Sequence, residues 1–536
     1  MFIDKNFLLK TSVLLVVAGC SKAQYRANQE KMSSFYTKKD YVSAKKLATD
    51  EEFLPEKENV LLKNLEQGSG YLYNDNACSA LYFYDKAEKI ATDQQTKSIK
   101  DGINTAITEA DGIYYGQTYE QSLMNFYRSL ANYKVYKSGI CDISEIKKDE
   151  EKNAKKDSSK DKTKIKDEKD ADNSENQTKI KQLSEQEKTT FLRSSRANVL
   201  LWDSWMKGRT IEKNDRLYMD DLLLKLWGAF IHEQNATAAD LQIAKQLYKD
   251  AQDVAKKRYA VYNSFNGQNR DFIANIDNQL KREQSIDGNN TYTNDLIEYT
   301  NQQIQRIEKK RSANLAIIIH DGTIAPKVAK ESISPLGVAA FALNPDASIM
   351  SSVLGINTLT YEKPEIKNET VDYKYYYSLW KNNVKVLEKP LILAEPISNI
   401  AYENLQEKIN DIIVSTQAKV AKQIVIGLAA SYTTYIAFKD NDLLALTMPL
   451  AVYAGYSQVI RNAGIVDTRQ WVSLPSNIFM AINNIKNDKY KLQIVRRKNS
   501  LNQQVDKGVV NAKQEEIVYS KDVEINNDTT FIDVRL

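Results

Sequence analysis

The chain has 536 residues, enough for two or three domains with cores of their own, and its 42% hydrophobic and 27% charged residues are those of a soluble globular protein. A net charge of +4 over that length excludes the concentrated basic face that a nucleic-acid groove needs, so no nucleic-acid partner is expected. With only two histidines, His232 and His320, the commonest general base and transition-metal ligand are nearly absent, and no cofactor or metal is expected.

The first nineteen positions read as a lipoprotein signal peptide (1–19). Lys5 and Lys10 supply a basic start, Val13 to Ala18 an apolar stretch too short to cross hydrocarbon, and Val17-Ala18-Gly19-Cys20 a lipobox. Cys20 is therefore the expected lipidation site, with acyl chains as the membrane anchor. Ser21 in the next position fits delivery to the outer membrane, with the body facing the periplasm. A polar tether is expected over 20–35.

From there the period becomes helical. Apolar residues recur at three- and four-residue steps over 36–143 and again over 187–262. A short template repeats: Ser79, Phe83, Tyr84 and Ala87 correspond to Ser122, Phe126, Tyr127 and Leu130, and more loosely to Ala244, Leu247, Tyr248 and Ala251. Small residues flanking aromatic pairs let stacked helical hairpins approach closely, a pattern similar to tetratricopeptide (TPR) repeats. Such stacks form a concave groove for a peptide or partner helix. Between the copies, 144–186 is almost devoid of apolar residues and is expected to be a disordered charged insertion. Cys78 and Cys141 are placed by an up-down stack at opposite ends of helices about 24 Å long, so no disulfide is expected between them.

A helix-like connector (263–312) leads to a change of period. Over 313–498 the pattern is α+β, and 499–536 adds C-terminal strands and a tail. The stretch 314–322 reads as a buried strand ending at Asp321-Gly322, with His320 at that turn. Residues 371–382 and 384–390 read as a hairpin through Asn382-Asn383. A helix of about 35 residues follows, with a stripe through Leu405, Ile409, Ile412, Val420, Ile424 and Leu428. Ile424 to Phe438 and Leu443 to Ile460 are apolar nearly all round. They read either as a membrane-inserted hairpin or as helices buried between sheet and helical body. The first run is short and Pro449 interrupts the second, which favours burial. Residues 466–482 and 489–497 read as strands, as do those around 517–525 and 530–536.

The lipobox, LEQGSGYLYNDNACSALYFYDKAEK, YEQSLMNFYRSLANY, RLYMDDLLLKLWGAFIHEQN and VDTRQWVSLPSNI together resemble a family of uncharacterised bacterial outer-membrane/periplasmic lipoproteins. The resemblance covers most of the chain outside the charged insertion. It implies an α+β architecture, with an N-terminal TPR-like helical hairpin domain before a mixed domain of mainly antiparallel strands and a long helix. It also implies an envelope location and a scaffold-like body, near genes for lipoproteins that activate cell-wall synthases.

No Walker A, G-x-S-x-G, HExxH or paired CxxC occurs, so no catalytic residue is assigned. His232 is read as a helix C-terminal cation, and Asp220-Asp221 and Asp440-Asp442 as caps or solvated faces. Asp467, Arg469 and Trp471 form the most distinctive polar cluster, either an ion pair beside a buried Trp or a ligand site. The expected function is that of a lipid-anchored scaffold binding another envelope protein in cell-envelope biogenesis. The alternatives are a cell-wall or glycan hydrolase with carboxylates drawn from distant positions, and a secretion or membrane-inserting component.

Overall fold

The structure is a computed structural model that describes residues 25–55, 57–101, 112–146, 181–208, 218, 220–259, 262, 291–337, 341, 344–369, 371, 373–498 and 515–536. The signal peptide and Cys20 lie outside these residues, as does 147–180 of the charged insertion. The fold is α+β.

The expected tether is helical over 25–37 (α1), because Tyr25, Met32 and Tyr36 recur on one face and are buried. Seven helices then pack largely in chain order: α2 (Tyr41–Thr49), α3 (Val60–Leu72), α4 (Ala77–Asp101), α5 (Thr118–Ser138), α6 (Glu185–Gly208), α7 (Leu222–Asn235) and α8 (Ala238–Lys257). A further helix, α9 (Thr291–Glu308), lies on α8. The repeated template is the contact surface between them. Ser79, Tyr84, Ser122, Tyr127, Ala244 and Tyr248 are all buried, and Phe83 is half-buried. Gly68 shows how closely the helices approach, since a Cβ there would stand 2.5 Å from the Tyr84 ring.

Beyond β1 (Ile140–Cys141) and β2 (Lys181–Gln182), which pair across the charged insertion, the strands fall in the C-terminal half. They are β3 (Leu315–Asp321), β4 (Val328–Pro335), β5 (Thr358–Glu365), β6 (Tyr373–Lys381), β7 (Val384–Pro390), β8 (Ile392–Glu395), β9 (Asn477–Asn483), β10 (Asp488–Lys498), β11 (Glu515–Ile525) and β12 (Thr530–Arg535). One four-stranded sheet runs β12-β3-β9-β8, with β12 parallel to β3; a second runs β11-β10-β6-β7, and β4 pairs with β5 by itself. Asn382 and Asn383 both have positive φ, the geometry of a two-residue hairpin turn. The two sheets meet where the Tyr375 and Phe479 rings pack edge-on at 4.9 Å. Residues 466–476, expected as a strand, run irregularly: the Trp471 and Val472 N–H groups are taken by helix side chains, those of Val466 and Arg469 by Glu362 and Asp467, and none of the four by a ladder partner.

A single hydrophobic core joins the helical body to the sheets, from Met32 and Tyr84 through Ile317 to Trp471 and Ile532. The second core belongs to a separate lobe. It gathers Leu336, Met350, Leu359, Val420, Ile424 and Leu428 from β4, β5, α10 (Pro345–Leu354) and the far half of α11 (Ile397–Phe438). The helix α12 (Asp442–Ala463) folds back along α11.

The cysteines correct the expectation drawn for them. Cys78 and Cys141 are disulfide-bonded, with α-carbons 5.1 Å apart. Because α4 and α5 are consecutive antiparallel neighbours, the start of one lies beside the end of the other. The bridge closes a separation of 63 residues, a loop for which chain entropy gives about 4 kcal/mol of stabilisation. Reduction, or Cys78→Ser with Cys141→Ser, should lower the free energy of unfolding by up to that amount in a denaturant titration. Identical transitions with and without reductant would show that the bridge does not constrain the chain.

Candidate docking surface

The predicted cluster is divided by the fold. Trp471 is fully buried, its indole N–H donating to Ser69 Oγ at 3.0 Å and its ring 6.0 Å from that of Tyr84. Arg469 stays near the surface and grips Asp467 with Nε at 3.0 Å and Nη2 at 2.7 Å, while Nη1 donates to Asn59 Oδ1. The ion-pair reading of the cluster is thus the one the geometry supports. Two carboxylates absent from the sequence reading organise this region. Glu66 of α3 accepts the Val472 N–H at 2.8 Å, and Glu120 of α5 accepts the Trp471 N–H at 2.9 Å. Glu120 also receives the Tyr114 hydroxyl at 2.6 Å and the Gln117 N–H at 2.7 Å. The signal for Glu120 was its place three residues after Gln117, which makes a capping box at the start of α5.

The two histidines lie in separate contacts of the body. His320 ends β3 beside Gly322, as its turn sequence indicated, and is fully buried. Its Nε2 lies 2.8 Å from Asp533 Oδ1 and its Nδ1 3.2 Å from the Tyr127 hydroxyl; a neutral ring protonated on Nε2 satisfies both contacts. Burial lowers the His320 pKa. Burial opposes the charge on Asp533, yet Lys134, at 2.8 Å, and His320 hold its carboxyl well below the usual range. His232 corrects its reading as a cation. It lies in the last turn of α7, but burial lowers its pKa, and its Nδ1 meets Asp240 at 2.8 Å.

Carboxylates are drawn together from distant positions around the buried Lys225, where Asp203, Asp220 at 3.3 Å and Asp250 at 3.9 Å are partly exposed, but there they serve as partners of the ammonium. Asp221, the N-cap of α7, and Glu395, at the end of β8, share the Tyr218 hydroxyl at 2.8 and 3.2 Å, and both are buried. Burial drives the Glu395 pKa far up, and the neighbouring Asp221 adds to it. Arg469 lines a small cleft with Lys327, Lys408, Asn404 and Gln117, but its volume of about 20 Å3 holds about one water.

The lobe presents a different surface. The expected stripe on α11 is confirmed: Leu405, Val420, Ile424 and Leu428 are buried, and Ile409 and Ile412 half-buried. The expectation that 424–460 lies between sheet and helical body is not met. Pro449 is the one buried residue of α12, which runs through that proline without a break. Leu443 is 73% exposed, Leu446 56% and Leu450 53%, and Ile426 and Ile436 are exposed on α11. Ile349 and Val353 of α10 are exposed as well. Contiguous exposed apolar area of this kind marks an interaction site. The reason for the failed expectation is topological. The helical groove and both inner sheet faces are already filled by each other, which leaves the second half of α11 to project past them.

Comparison of the chain with family models, with curated proteins and with solved structures yields no match.

Burial pushes the Glu66 carboxyl up to about 7 from an ordinary 4.5. A carboxyl with its folded pKa raised contributes stability that is fully present below about 4.5 and is lost as the pH rises through about 7. Glu66→Gln retains an acceptor for Val472 and should flatten the fall in stability between about pH 5 and pH 8 by about 3 kcal/mol. Urea unfolding across that range measures it, and a variant profile parallel to that of the parent would exclude Glu66 as the titrating group.

Proposed function

We propose that this chain is a lipid-anchored envelope scaffold that docks onto another envelope component through the α10–α11–α12 lobe. The observation that carries the reading is α12 itself, a helix of 22 residues with a single buried side chain on an otherwise well-packed protein. Two features support the location. The lipobox ends on Cys20, and the Cys78–Cys141 bridge suits an oxidising compartment.

The same contacts argue against docking through the helical groove. The face that stacked hairpins would offer to a partner is occupied by the chain's own Trp471, by β3 and by β12. Tyr133 and Trp227, for example, pack on Phe531 of β12 with ring centroids 5.1 and 6.0 Å apart. The helices therefore act as a cradle for the sheet, and the lobe is what remains for a partner. A hydrolase reading has no comparable observation in its favour.

Two measurements test the proposal in cells. Labelling with a palmitate analogue should mark the parent and fail with Cys20→Ala; undiminished labelling would remove the anchor. A photocrosslinking residue at Leu446 or Leu450 should yield a discrete adduct, whereas the same residue at Val42 or Leu201, exposed apolar positions outside the lobe, should not. Absence of an adduct from both lobe positions would end the docking reading.

A further inference from the structure

Resting on that docking reading, we propose that the lobe's partner is the lipid bilayer carrying the Cys20 lipid, and that the α11–α12 hairpin inserts into it. Four features point to lipid rather than to a protein groove.

First, the apolar surface has no polar side. A helix that binds a protein groove keeps a solvated face, whereas one that is apolar all round is matched to hydrocarbon or to a core. Residues 423–438 and 443–460 contain no Asp, Glu, Lys or Arg. The most apolar 18-residue windows of α11 and α12 have mean hydropathy 1.3 and 1.4, and 28% and 6% of them are buried within the protein.

Second, the charge-free stretches are of matched length and bounded at the same levels. At 1.5 Å per residue they extend about 24 and 27 Å, close to the roughly 30 Å of a hydrocarbon core and closer still to a thin outer membrane. Lys419, Lys422 and Arg461 form a cationic collar at the base and have no ion-pair partner among the described residues. Lys439, Asp440 and Asp442 sit exposed at the tip, at the depth of the opposite headgroups. A collar of this sign complements anionic lipid at the near surface.

Third, four of the hairpin's hydroxyls are satisfied within their own helices, as a hydrocarbon medium requires. Ser431 donates to Gly427 O at 2.9 Å, Thr433 to Ala429 O, Thr434 to Ala430 O and Thr447 to Leu443 O, each one turn back along its own helix. Gly427 lies against Tyr453 and Tyr456, where a Cβ would come within 3.2 Å, so the pairing of the two helices uses the small-residue contact of membrane helices.

Fourth, the described chain begins beside the collar, a few residues after the anchor position in sequence. In α1, Arg26 is bound bidentately to Glu362 of β5 at 3.0 and 2.7 Å and also donates to Val466 O, just past the end of α12. That level is marked on α11 by Val420, which packs at Gly464. Cys20 precedes Arg26 by six residues, a reach of at most about 20 Å. A lipid on Cys20 therefore holds the collar within that distance of the membrane surface.

The test uses the full chain carrying Cys20→Ala, floated with phosphatidylethanolamine–phosphatidylglycerol vesicles. It should float without the lipid anchor. Adding Leu446→Glu and Leu450→Glu should reduce the bound fraction about tenfold or more, while Val42→Glu with Leu201→Glu leaves it unchanged. Phosphatidylcholine vesicles should bind several-fold less, through loss of the collar's attraction; equal binding would remove that part of the proposal. Retention of the Cys78–Cys141 bridge and an unchanged far-ultraviolet spectrum establish that the variants are folded. Flotation unaffected by the two glutamates, or no flotation at all, overturns insertion. If the Leu446 crosslink then falls on a protein, the docking reading stands with a protein as partner; if no crosslink forms, both fall.

Discussion

The structure depends on the seating of residues 466–476 in the helical cradle. That segment forms no strand, so its backbone N–H groups need acceptors, and burial makes an unmet donor costly. For Val472 and Trp471 at its centre, Glu66 and Glu120 supply the acceptors from α3 and α5, and Ser69 takes the Trp471 indole. From this point β9 enters the central sheet, and β8, beside β9, launches α11 through Pro396. The direction of the lobe helix is thus set by contacts made by residues hundreds of positions away in the chain.

A second set of contacts closes the other side of the cradle. His320, Asp533 and Lys134 link β3, β12 and α5, and Arg535 lies over the rings of Tyr36 and Tyr73 at 4.6 and 4.4 Å. Each charge there is paired or stacked, as buried charge must be. The contrast with the lobe is one of kind. The body buries polar groups and satisfies them with partners; the α11–α12 hairpin of the lobe exposes apolar groups and leaves its charges at its two ends. A protein with one surface of the second sort, built on a body of the first, is organised to present that surface.

Much of the local structure was legible because it depends on short-range chemistry. The Asn382-Asn383 turn, the buried β3 ending at Gly322 and the 3.6-residue stripe of α11 each follow from backbone preference or periodicity within a few residues. The errors share a cause. Cys78 and Cys141 were separated by a miscounted stack, the segment before β9 was given a strand's period although side chains take its N–H groups, and the apolar helices were assigned to an interior already full. Glu66 carried no signal at all, since a glutamate within a helical pattern reads as solvated until the segment that binds it is in place.

By itself, then, the sequence determined the long helices, the buried β3 and the β6–β7 hairpin, which faces are apolar and that residues 423–460 carry charge only at the turn between their two helices. Only the tertiary structure decided whether that apolar surface is core or exterior. The physical reason is that hydrophobicity states what a side chain avoids and not what will cover it. Here Trp471, Phe531 and the β3 strand had already filled the cradle, and the hairpin was left outside.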